Sequence, residues 1–574
     1  MSVSSRIEYD VLLVGGSPSN LTLAYRLLEL AKESGKELTV AILEKGKEFG
    51  SHIVSGAVSH PHVIEKVWPN HKEMGFPIEA VCNESNFSVL GLEKKWDIPP
   101  SLYPKTFDKT GYYILTLSQV TAWIAQKVQE KAKEVPNVAL DLFNGFSAHE
   151  VVVENGRVVG VSVVEKPQSD EDYVYGKIIC FGDKGFLSRD VIEKFQLRDC
   201  PQIWSVGVKE VWQINEDVAG KVWHTLGFPL LDGTFGGGFV YGMKDKKLTI
   251  GMVISLDSKD PNMNPQQKLQ EYKKHPWIQS LIAGGKLLKY GAALLPEGGY
   301  YSLPKKFYVP GAMLLGDALG VLNVKNLAGI DRAMECGRVA AEVISDIIAR
   351  GADYTEAELQ TYQKRLEDSF VIKESYHDRY FRWTFMENPR LLSQYLPKVA
   401  HGVDSGHPIM GVIKAGFPNP FQAAGDGLRA LGLMEQGKDI GPIKYQADYK
   451  HIVPNFTPPK IDVNGFDKAT IYSRADAVFF AATKYHEGNN HIDEFNADTC
   501  VKCISAYTSL GKTTPCVADC TAEVHRIDIV GDLRKHGMSL ENCVQCRTCE
   551  IVCPEVNLKV RPTEQGSGPD FMGL

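Results

Sequence analysis

Apolar and polar positions along the first 50 residues predict a strand, a helix and a second strand. The segment YDVLLVG (9–15) is a short apolar run, and LTVAILEKG (38–46) is another. Between them, helical spacing of apolar residues begins at about Pro18, a residue type that suits the first turn of a helix. The pattern therefore predicts a β-α-β unit at the start of the chain.

Farther along, the pattern changes several times. A helix is predicted over 117–135, and Glu154-Asn155-Gly156 predicts a hairpin, because Asn-Gly favours a tight turn. The later segments are, in order, a β-rich stretch from roughly 203 to 256, a strand-turn-helix pattern at 311–320, helices over 355–400 and a Gly- and Pro-rich connector at 416–463. These changes predict a mixed α/β (α+β) protein with several domains.

Composition places the chain among folded, soluble proteins. It has 574 residues, of which 44% are hydrophobic and 23% charged; that length allows about two to four domains. A net charge of −7 gives no basic surface, which argues against nucleic acid as a partner. No run of about 18 apolar residues occurs, and the N-terminal MSVSSRIEYD lacks the apolar core of a signal peptide. We therefore expect a cytoplasmic protein.

The turn after the first strand carries an altered dinucleotide-binding fingerprint. Where G-x-G-x-x-G is expected, the sequence reads Gly15-Gly16-Ser17-Pro18-Ser19-Asn20. Ser17 is small enough to let the backbone approach a pyrophosphate. Asn20 is the worst departure, because it puts a polar side chain where the helix must lie close to the strand. On its own, the turn is equally compatible with an ordinary strand-to-helix connection.

Two acidic residues strengthen the nucleotide interpretation. Glu44 ends the second strand, where a carboxylate would bond the adenosine ribose, although a surface carboxylate beside Lys45 is the alternative. Asp317 follows a strand in MLLGDALG, where it would reach the sugar-like chain of a flavin, although a helix N-cap would also explain it. Both residues are therefore candidates for contacts with FAD.

The twelve cysteines fall into two groups. Four are scattered and are interpreted as small buried hydrophobes: Cys82, Cys180, Cys200 and Cys336. The other eight lie between Cys500 and Cys553, where a reducing compartment favours metal ligation over disulfides. The run CVQCRTCEIVCP (543–554) has the C-x2-C-x2-C-x3-C-P spacing of bacterial ferredoxins, with zinc as the alternative metal.

The eight clustered cysteines can be assigned to two iron–sulfur sites. In two-cluster ferredoxins the fourth cysteine of such a run ligates the other cluster, and a second group is present here as Cys500-x2-Cys503 and Cys516-x3-Cys520. Exchanging the fourth cysteines predicts one [4Fe–4S] cluster on Cys520, Cys543, Cys546 and Cys549. The remaining set, with a vestigial or three-iron site as the alternative, is Cys500, Cys503, Cys516 and Cys553.

Five segments occur in an order that carries a family resemblance: EKGKEFGSHIVSGAV (44–58), SVGVKEVWQI (205–214), GTFGGGFVYGM (233–243), YGAALLPEGGYYSLPK (290–305) and the cysteine-rich tail. The chain resembles the electron transfer flavoprotein–quinone oxidoreductases and the related Fix-type flavoproteins with their ferredoxin-like partners. The domains that this implies are a Rossmann-like FAD-binding domain (1–200 and 290–350), an inserted β-rich quinone-site domain (201–289), a helical segment and linker packing on the FAD domain (351–490) and a two-cluster, 4Fe-4S ferredoxin-type domain (491–574).

The resemblance also implies roles for individual residues. The contacts expected for FAD are Gly15, Gly16, Ser17, Pro18, Glu44, Lys45, Ser55, Gly56, Ala57, Gly316 and Asp317. A third FAD segment of the family reads acid-Gly after a strand, whereas this chain has Asp183-Lys184. The quinone-site candidates are Gly236, Gly237, Gly298 and Gly299, although close-packed strands would need glycines there as well. The four cluster ligands of the family match Cys520, Cys543, Cys546 and Cys549.

Finally, the resemblance implies electron transport at a membrane. Segment 411–434 corresponds to an apolar surface helix, so peripheral contact at the inner face of the membrane is expected, through residues such as Phe417, Phe421, Leu428, Leu431, Leu433 and Met434. Reduced electron transfer flavoprotein would give electrons through the clusters and FAD to ubiquinone or menaquinone, by cofactor chemistry without a catalytic side chain. The alternatives are a flavoprotein–ferredoxin subunit of a Fix-type, bifurcating complex and a cofactor-poor scaffold with an electron-carrying ferredoxin tail.

Overall fold

The computed structural model describes residues 7–169, 172–258, 260, 262–417, 419–430, 465–486, 490–531 and 533–574. The strands are β1 (Glu8–Val14), β2 (Leu38–Glu44), β3 (Val58–Ser59), β4 (Ile78–Val81), β5 (Glu84–Leu90), β6 (Lys95–Asp97), β7 (Tyr113–Leu115), β8 (Val138–Asn144), β9 (Val151–Glu154), β10 (Arg157–Ser162), β11 (Tyr173–Phe181), β12 (Trp204–Gln213), β13 (Lys221–Gly227), β14 (Gly236–Met243), β15 (Lys247–Ser255), β16 (Lys286–Pro296), β17 (Tyr308–Val309), β18 (Ala312–Leu314), β19 (Ile492–Glu494), β20 (His525–Val530), β21 (Leu533–Met538) and β22 (Leu558–Val560).

The α-helices are α1 (Pro18–Ser34), α2 (His62–Val67), α3 (Leu117–Lys133), α4 (Ser188–Lys194), α5 (Pro265–Lys274), α6 (Pro276–Ile282), α7 (Ile330–Arg350), α8 (Glu356–Asp368), α9 (Phe370–His377), α10 (Phe381–Glu387), α11 (Leu396–Asp404), α12 (Pro408–Ala415), α13 (Pro420–Ala430), α14 (Arg474–Phe479), α15 (Ala497–Ser509), α16 (Pro515–Ala518) and α17 (Thr548–Val552). The mixed α/β class predicted from the sequence is confirmed.

An eight-stranded sheet contains the predicted β-α-β unit. Its main path runs β17-β18-β11-β1-β2-β8, and β9 and β10 extend it beside β11. Strands β18, β11, β1, β2 and β8 are parallel. Strand β1 lies inside this sheet, and its apolar residues Val11, Leu12 and Leu13 are fully buried, as expected where both faces of a parallel sheet are covered.

Helix α1 packs along α7, and this contact fixes the helix that follows the nucleotide turn. The two backbones approach so closely that a side chain at Gly337 of α7 would overlap the carbonyl oxygen of Ser19. Gly337 therefore allows the two helices to cross closely. This crossing places the N-terminal end of α1 beside the turn at Gly15.

A seven-stranded sheet forms the second layer of structure, in the order β16-β12-β15-β14-β13-β5-β6. Its pairs are antiparallel apart from β13 with β5, which run parallel. The sheet extends beyond the segment 201–289 expected for it: β5 and β6 come from the first 100 residues, and β16 continues to Pro296. Strands distant in sequence thus share its apolar core.

The cysteine-rich tail packs on this sheet. Two small antiparallel pairs, β19 with β22 and β20 with β21, accompany the short helices α15 to α17. Tyr290 of β16 is buried and donates its hydroxyl hydrogen to the carbonyl oxygen of Thr521 at 2.8 Å. A side chain at Gly291 would meet Phe571 and Leu574 near the C-terminus. Buried apolar contacts therefore hold the tail against the sheet.

Other local predictions can be compared directly. The hairpin at Glu154-Asn155-Gly156 is confirmed by the pairing of β9 with β10, and α3 confirms the helix over 117–135. The prediction of a connector over 416–463 is wrong at Pro420–Ala430, which is helical; its proline lies at the helix start, where proline is compatible with a helix. Residues 431–464 lie outside the described residues. Among the helices that are described, none is long and apolar enough to cross a membrane.

Candidate cofactor sites

The nucleotide turn keeps its shape although two glycines of the fingerprint are replaced. Gly15 has φ of +94°, a conformation that favours glycine. The amide of Asn20 is fully buried and donates to the carbonyl oxygens of Val14, Gly15 and Cys180 at 3.0, 2.9 and 3.2 Å. The side chain of Asn20 therefore joins the end of β1 to the end of β11.

The expectation that Asn20 disturbs the helix–strand contact is wrong, because other glycines provide the space. A side chain at Gly182, just after β11, would lie 2.5 Å from Ser17 Oγ and 2.7 Å from Asn20 Nδ2. Gly337 provides the same freedom on the helix side. The close approach required by a dinucleotide turn is thus supplied by residues far away in the sequence.

Glu44 lies at the end of β2 and faces the turn. Its Oε2 accepts a hydrogen bond from the N–H of Gly16 at 2.9 Å, and its Oε1 accepts one from the N–H of Gly46 at 2.6 Å. Burial raises the pKa of Glu44, while these amides and Lys45 lower it. A side chain at Gly16 would meet Phe49 and Glu44. The surface-carboxylate alternative is wrong, because Glu44 is buried; its contact with ribose stays a prediction.

The segment Ser55-Gly56-Ala57 forms the opposite side of the same space. The carbonyl of Ser55 accepts a hydrogen bond from Lys209 Nζ at 2.9 Å, and burial lowers the pKa of this lysine to about 7. Ala57 has φ of +64°, which is uncommon for a residue with a side chain. The seven-stranded sheet, through Lys209 on β12, therefore supports the segment expected to face the flavin.

Asp317 lies in a short 3₁₀ turn, Gly316–Ala318, directly after β18. It caps no α-helix, since the next one begins at Ile330 with Gly329 as its N-cap, so the capping alternative is wrong. Burial raises the pKa of Asp317, and the charge of Lys184 lowers it. The carboxyl group is therefore available to a ligand rather than committed to a helix end.

Three cations lie where this space meets the cysteine run. Lys45 Nζ lies 2.8 Å from His52 Nδ1 and also contacts Gln545 Oε1. Arg547 donates to the carbonyl of Lys184 at 2.8 Å, and Lys184 Nζ donates to the carbonyl of Val54 at 3.3 Å. Burial lowers the pKa of both lysines, that of Lys45 to about 8. The junction is therefore polar and rich in charged groups, since Arg547 also pairs with Glu550 at 3.1 Å.

A single cavity of about 840 Å³ joins these parts. Of the predicted FAD and quinone residues, those that line it are Gly15, Gly16, Ser17, Pro18, Glu44, Lys45, Ser55, Gly56, Ala57, Asp317, Gly236 and Gly237. Gly316 lies beside Asp317 but is not among the lining residues. Cys546 and its neighbours Gln545 and Arg547 also line the cavity. One space is therefore in contact with the nucleotide turn, the seven-stranded sheet and the cysteine run.

The two predicted glycine pairs of the quinone site differ in position. Gly236 and Gly237 lie on β14 and face the cavity, and side chains there would meet the backbone of β15 and β13. Gly298 and Gly299 lie outside the lining. The N–H of Gly298 donates to Gln202 Oε1 at 2.8 Å, and a side chain there would overlap Ser302. The close-packing alternative therefore accounts for Gly298.

Sequence reasoning missed several polar residues of the cavity. His224 Nε2 lies 2.8 Å from the hydroxyl of Tyr241, and burial lowers the pKa of His224 to about 3, so the imidazole is neutral. Glu297 is buried, bonds to Ser205 and has its pKa raised by burial. Lys209 is the third. The available signal was a polar or charged residue within an apolar strand, for His224 and Lys209, or directly after one, for Glu297.

The eight tail cysteines separate into the two predicted sets, here named the inner set (Cys520, Cys543, Cys546 and Cys549) and the outer set (Cys500, Cys503, Cys516 and Cys553). Burial, followed by the nearby Cys546, raises the pKa of the other three inner thiols. Among the outer thiols, burial raises the pKa of Cys503 to about 11, and Cys553 contributes. The sulfur atoms of each set thus influence one another.

Both sets have the donor arrangement of an iron–sulfur site. In the inner set, backbone N–H groups of Val524 and Gln545 point at Cys520 and Cys543 Sγ, at 3.2 and 3.3 Å. In the outer set, Asn557 donates its backbone N–H to Cys553 Sγ and its side-chain amide to Cys500 Sγ, both at 3.2 Å. Such hydrogen bonds to sulfur stabilise a cluster's negative charge, so the residues fit the group.

The outer set has polar neighbours that the sequence analysis did not identify. All four outer cysteines line a small cavity of about 20 Å³. His525 Nδ1 lies 2.8 Å from His536 Nε2, and His536 also contacts Glu494. Ligand atoms of Cys516, His525 and His536 lie within 4.8 Å of one another.

The cavity also fits a polar ligand such as a nucleotide. Two buried polar atoms that line it, His52 Nε2 and Asp183 Oδ1, have no hydrogen-bond partner within the described part of the chain. A buried polar group without a partner is unfavourable, and a ligand with polar groups would satisfy it. Fold, cavity and cysteine sets together define an iron–sulfur flavoprotein oxidoreductase.

Comparisons with known proteins identify the family. The model of the ubiquinone-binding region of ETF-QO matches residues 204–295. The mitochondrial electron transfer flavoprotein-ubiquinone oxidoreductase of Arabidopsis thaliana is 31% identical over 596 residues, covering 99% of this chain and 85% of that protein. The Pseudomonas aeruginosa protein of the same name is 29% identical, covering 99% of both. The chain belongs to the electron transfer flavoprotein–ubiquinone oxidoreductase family.

The family prediction is thereby confirmed, and the names of these relatives agree with the leading function rather than with the Fix-type or scaffold alternatives. A solved structure of a geranylgeranyl bacteriochlorophyll reductase-like protein from Thermoplasma acidophilum has a TM-score of 0.54 at 18% identity. It covers 74% of this chain and 99% of that one. At this identity the similarity concerns the fold alone.

Proposed function

We propose that this chain takes electrons from reduced electron transfer flavoprotein and passes them to a membrane quinone, ubiquinone first. The observation that carries the proposal is the cavity of about 840 Å³, which is in contact with the nucleotide turn, the quinone-site glycines and the cysteine run. Cofactors bound at these places would lie next to one another, as electron transfer between them requires. The family and its ubiquinone-binding region support the same assignment.

FAD is the nucleotide that we assign to the cavity. Gly15, Gly16, Ser17 and Pro18 would hold the pyrophosphate, because the N-terminal end of α1 favours an anion. Glu44 and Lys45 would hold the adenosine, Ser55-Gly56-Ala57 would lie along the ring, and Gly316 and Asp317 would bind the ribityl chain. When bound, FAD supplies the chemistry that couples one-electron donors to a two-electron acceptor.

Two [4Fe–4S] clusters are assigned to the inner and outer cysteine sets. The support is the separation of the eight thiols into these sets and the N–H donors directed at their sulfurs. The inner set would be the cluster nearer to FAD, because Cys546 itself lines the cavity. We retain the expected domains, FAD on 1–200 and 290–350, quinone on 201–289, the helical segment and linker over 351–490 and clusters on 491–574, and we add β5, β6 and the end of β16 to the quinone-site sheet.

The quinone would bind between Gly236, Gly237 and the FAD segment, with its tail directed toward the helices. Leu392 and Val399 line the cavity on that side, together with Val412 of α12. Helices α12 and α13 and the turn between them expose a group of apolar side chains: Ile409, Met410, Val412, Ile413, Phe417, Phe421 and Leu428. The predicted Leu431, Leu433 and Met434 lie outside the described residues.

An exposed apolar group of this kind marks a membrane or protein interface. We assign it to the cytoplasmic face of the membrane, since Val412 of the same group lines the cavity in which the quinone would bind. Vesicle sedimentation tests the assignment. Phe421→Asp is expected to reduce binding to lipid vesicles, whereas Phe479→Asp, an equally exposed aromatic on α14, is expected to have no effect.

An anaerobic turnover experiment tests the function itself. Reduced electron transfer flavoprotein is mixed with the holoprotein and a water-soluble ubiquinone or menaquinone analogue, and quinol formation is measured. We expect quinol from the ubiquinone analogue, with two electrons consumed for each molecule. Bleaching of the flavin without quinol from either analogue would contradict the proposal.

A further inference from the structure

The inner and outer cysteine sets differ in depth. Three of the four inner cysteines are buried and only Cys546 is partly exposed, whereas three of the four outer cysteines are partly exposed and only Cys553 is buried. Residues 544–547 of the inner run line the large cavity, and no outer cysteine does. The outer set therefore lies on the side of the tail that faces solvent, and the inner set on the side that faces the cavity.

A short connection joins the two sets. Helix α17 contains Cys549 of the inner set and ends directly before Cys553 of the outer set. It also packs against α16, which contains Cys516 of the outer set. The inner set thus has the cavity on one side and the outer set on the other. An electron that starts at the solvent side meets the outer set first.

The surface above the outer set carries two exposed apolar side chains, Phe495 and Val556, which are 62% and 78% accessible. The N–H of Phe495 donates to the carbonyl of Asn557 at 3.1 Å, and that of Val556 to the carbonyl of Cys553 at 3.1 Å. Asn557 in turn donates to the sulfurs of Cys500 and Cys553. Both side chains are therefore held by the loop that surrounds this site.

Val556 also has an unusual backbone conformation. Its φ is +50°, in the left-handed region that β-branched residues rarely adopt because the side chain meets its own backbone. Strain of this kind persists where the surroundings impose it, and it often marks a functional position. Here it holds an apolar side chain in solvent, three residues after a cysteine of the outer set.

We propose that the outer set is the point where electrons enter the protein, and that Phe495 and Val556 contact the reduced electron transfer flavoprotein that delivers them. The proposal rests on the function and the two clusters proposed above. A patch of two side chains is far smaller than the roughly 800 Å² per partner of a stable interface. Its size suits a short-lived redox encounter rather than a second copy of this chain.

The electron balance is simple. Each encounter removes one electron from the reduced flavin of the partner and adds one to the iron of the outer site, with no bond made or broken. Two deliveries, passed inward through the inner site, and two protons from water convert one quinone to one quinol. The reaction requires no other oxidant or reductant.

The first test compares two ways of reducing the flavin of the anaerobic holoprotein: from the partner flavoprotein and from a water-soluble quinol. For Cys503→Ser we expect the iron content to fall by about half. The ratio of the partner-driven to the quinol-driven rate should fall by more than about tenfold, because only the first route uses the outer site. An unchanged ratio with halved iron would overturn the proposal.

The same experiment separates this inference from the proposed function. Wild-type protein that contains about four irons per FAD, and that loses none in Cys503→Ser, would overturn both the second cluster and this inference. Failure of the wild-type flavin to exchange electrons with quinol would instead contradict the quinone function.

The second test concerns the patch and leaves the cysteines intact. Val556→Asp and Phe495→Asp are compared with Ile529→Asp, another exposed apolar position, on β20. Aspartate tolerates the left-handed conformation better than valine, so Val556→Asp should fold. We expect KM for the partner flavoprotein to rise about tenfold in the first two variants at unchanged iron content, with no change in the control. Three unchanged KM values would overturn the assignment of the docking surface.

Discussion

The nucleotide turn and the cysteine tail respond differently to the loss of residues from their motifs. The turn has serine and asparagine in place of two glycines, yet its geometry is intact because Gly182 and Gly337 leave the required space. The inner cysteine run has every residue of its pattern in place. A glycine contributes space, which another part of the chain can supply, whereas a thiolate contributes a bond to metal, which requires that side chain.

This difference has a consequence for reading motifs. A residue that differs from the fingerprint in the turn must be examined together with the elements packed against it. Asn20, for example, makes three hydrogen bonds that join β1 to β11. A departure in the cysteine run would remove a ligand outright.

Removal of one inner thiolate should have the largest effect. In Cys549→Ser we expect the iron content to fall by about half and partner-driven quinone reduction to fall more than about 100-fold, because the site next to the cavity is lost. Iron analysis and turnover measure both. Cys82→Ala, a buried cysteine outside the tail, serves as the control and should retain its iron. Full iron in Cys549→Ser would contradict the ligand assignment.

A side chain at Gly337, where α7 crosses the first turn of α1, should have the next largest effect. In Gly337→Ala the new methyl group overlaps the carbonyl of Ser19, which cannot rotate away, so we expect the free energy of unfolding to fall by about 3 kcal/mol. Denaturant unfolding measures it. Gly425→Ala, a glycine in α13 with space around it, should instead gain up to about 1 kcal/mol from helix propensity. Equal changes in the free energy of unfolding at both glycines would contradict the claim that Gly337 leaves space that the turn requires.

Restoring the third glycine of the fingerprint should lower the free energy of unfolding. In Asn20→Gly the carbonyls of Val14, Gly15 and Cys180 lose their buried donor, so we expect a loss of about 2 kcal/mol in the free energy of unfolding. The control, Ser17→Gly at the N-cap of α1, should cost only a few tenths. An increase in the free energy of unfolding in Asn20→Gly would show that the hydrogen bonds of the Asn20 amide do not stabilise the fold.

The smallest effect should come from Lys184, which replaces the glycine of the family's acid-Gly segment. Its Nζ donates to the carbonyl of Val54, and within the described residues no carboxylate lies at ion-pairing distance. Lys184→Met should therefore stabilise the apoprotein while raising the Kd for FAD about tenfold, through loss of a cation that faces the anionic nucleotide. Lys177→Met, an exposed lysine on β11, is the control. Unchanged FAD affinity would exclude Lys184 from the site.

Much of the fold follows from local sequence patterns. The β-α-β unit, the Asn155-Gly156 hairpin and α3 are determined by the period of apolar residues and by turn chemistry, which act over a few positions. The placement of β5 and β6 in the second sheet could not be predicted this way, because it depends on strand pairing across more than 100 residues. The same reason explains why Gly182 and Gly337 were not identified.

The candidate site divides in a similar manner. Both cysteine sets could be assigned from spacing, because each ligand type has few functions other than metal binding. Lys209 and His224 were missed, because a polar residue in an apolar strand does not by itself reveal which cavity its side chain faces. The contacts of Asn557 with the outer sulfurs depend on a loop fold that no motif describes.

The iron and flavin content of one anaerobically purified sample tests the central claim, that one chain joins FAD to two clusters. The account predicts about eight irons for each FAD in the wild-type protein and about four in Cys549→Ser. Iron without flavin would mean that the altered turn holds no nucleotide, and it would contradict the account.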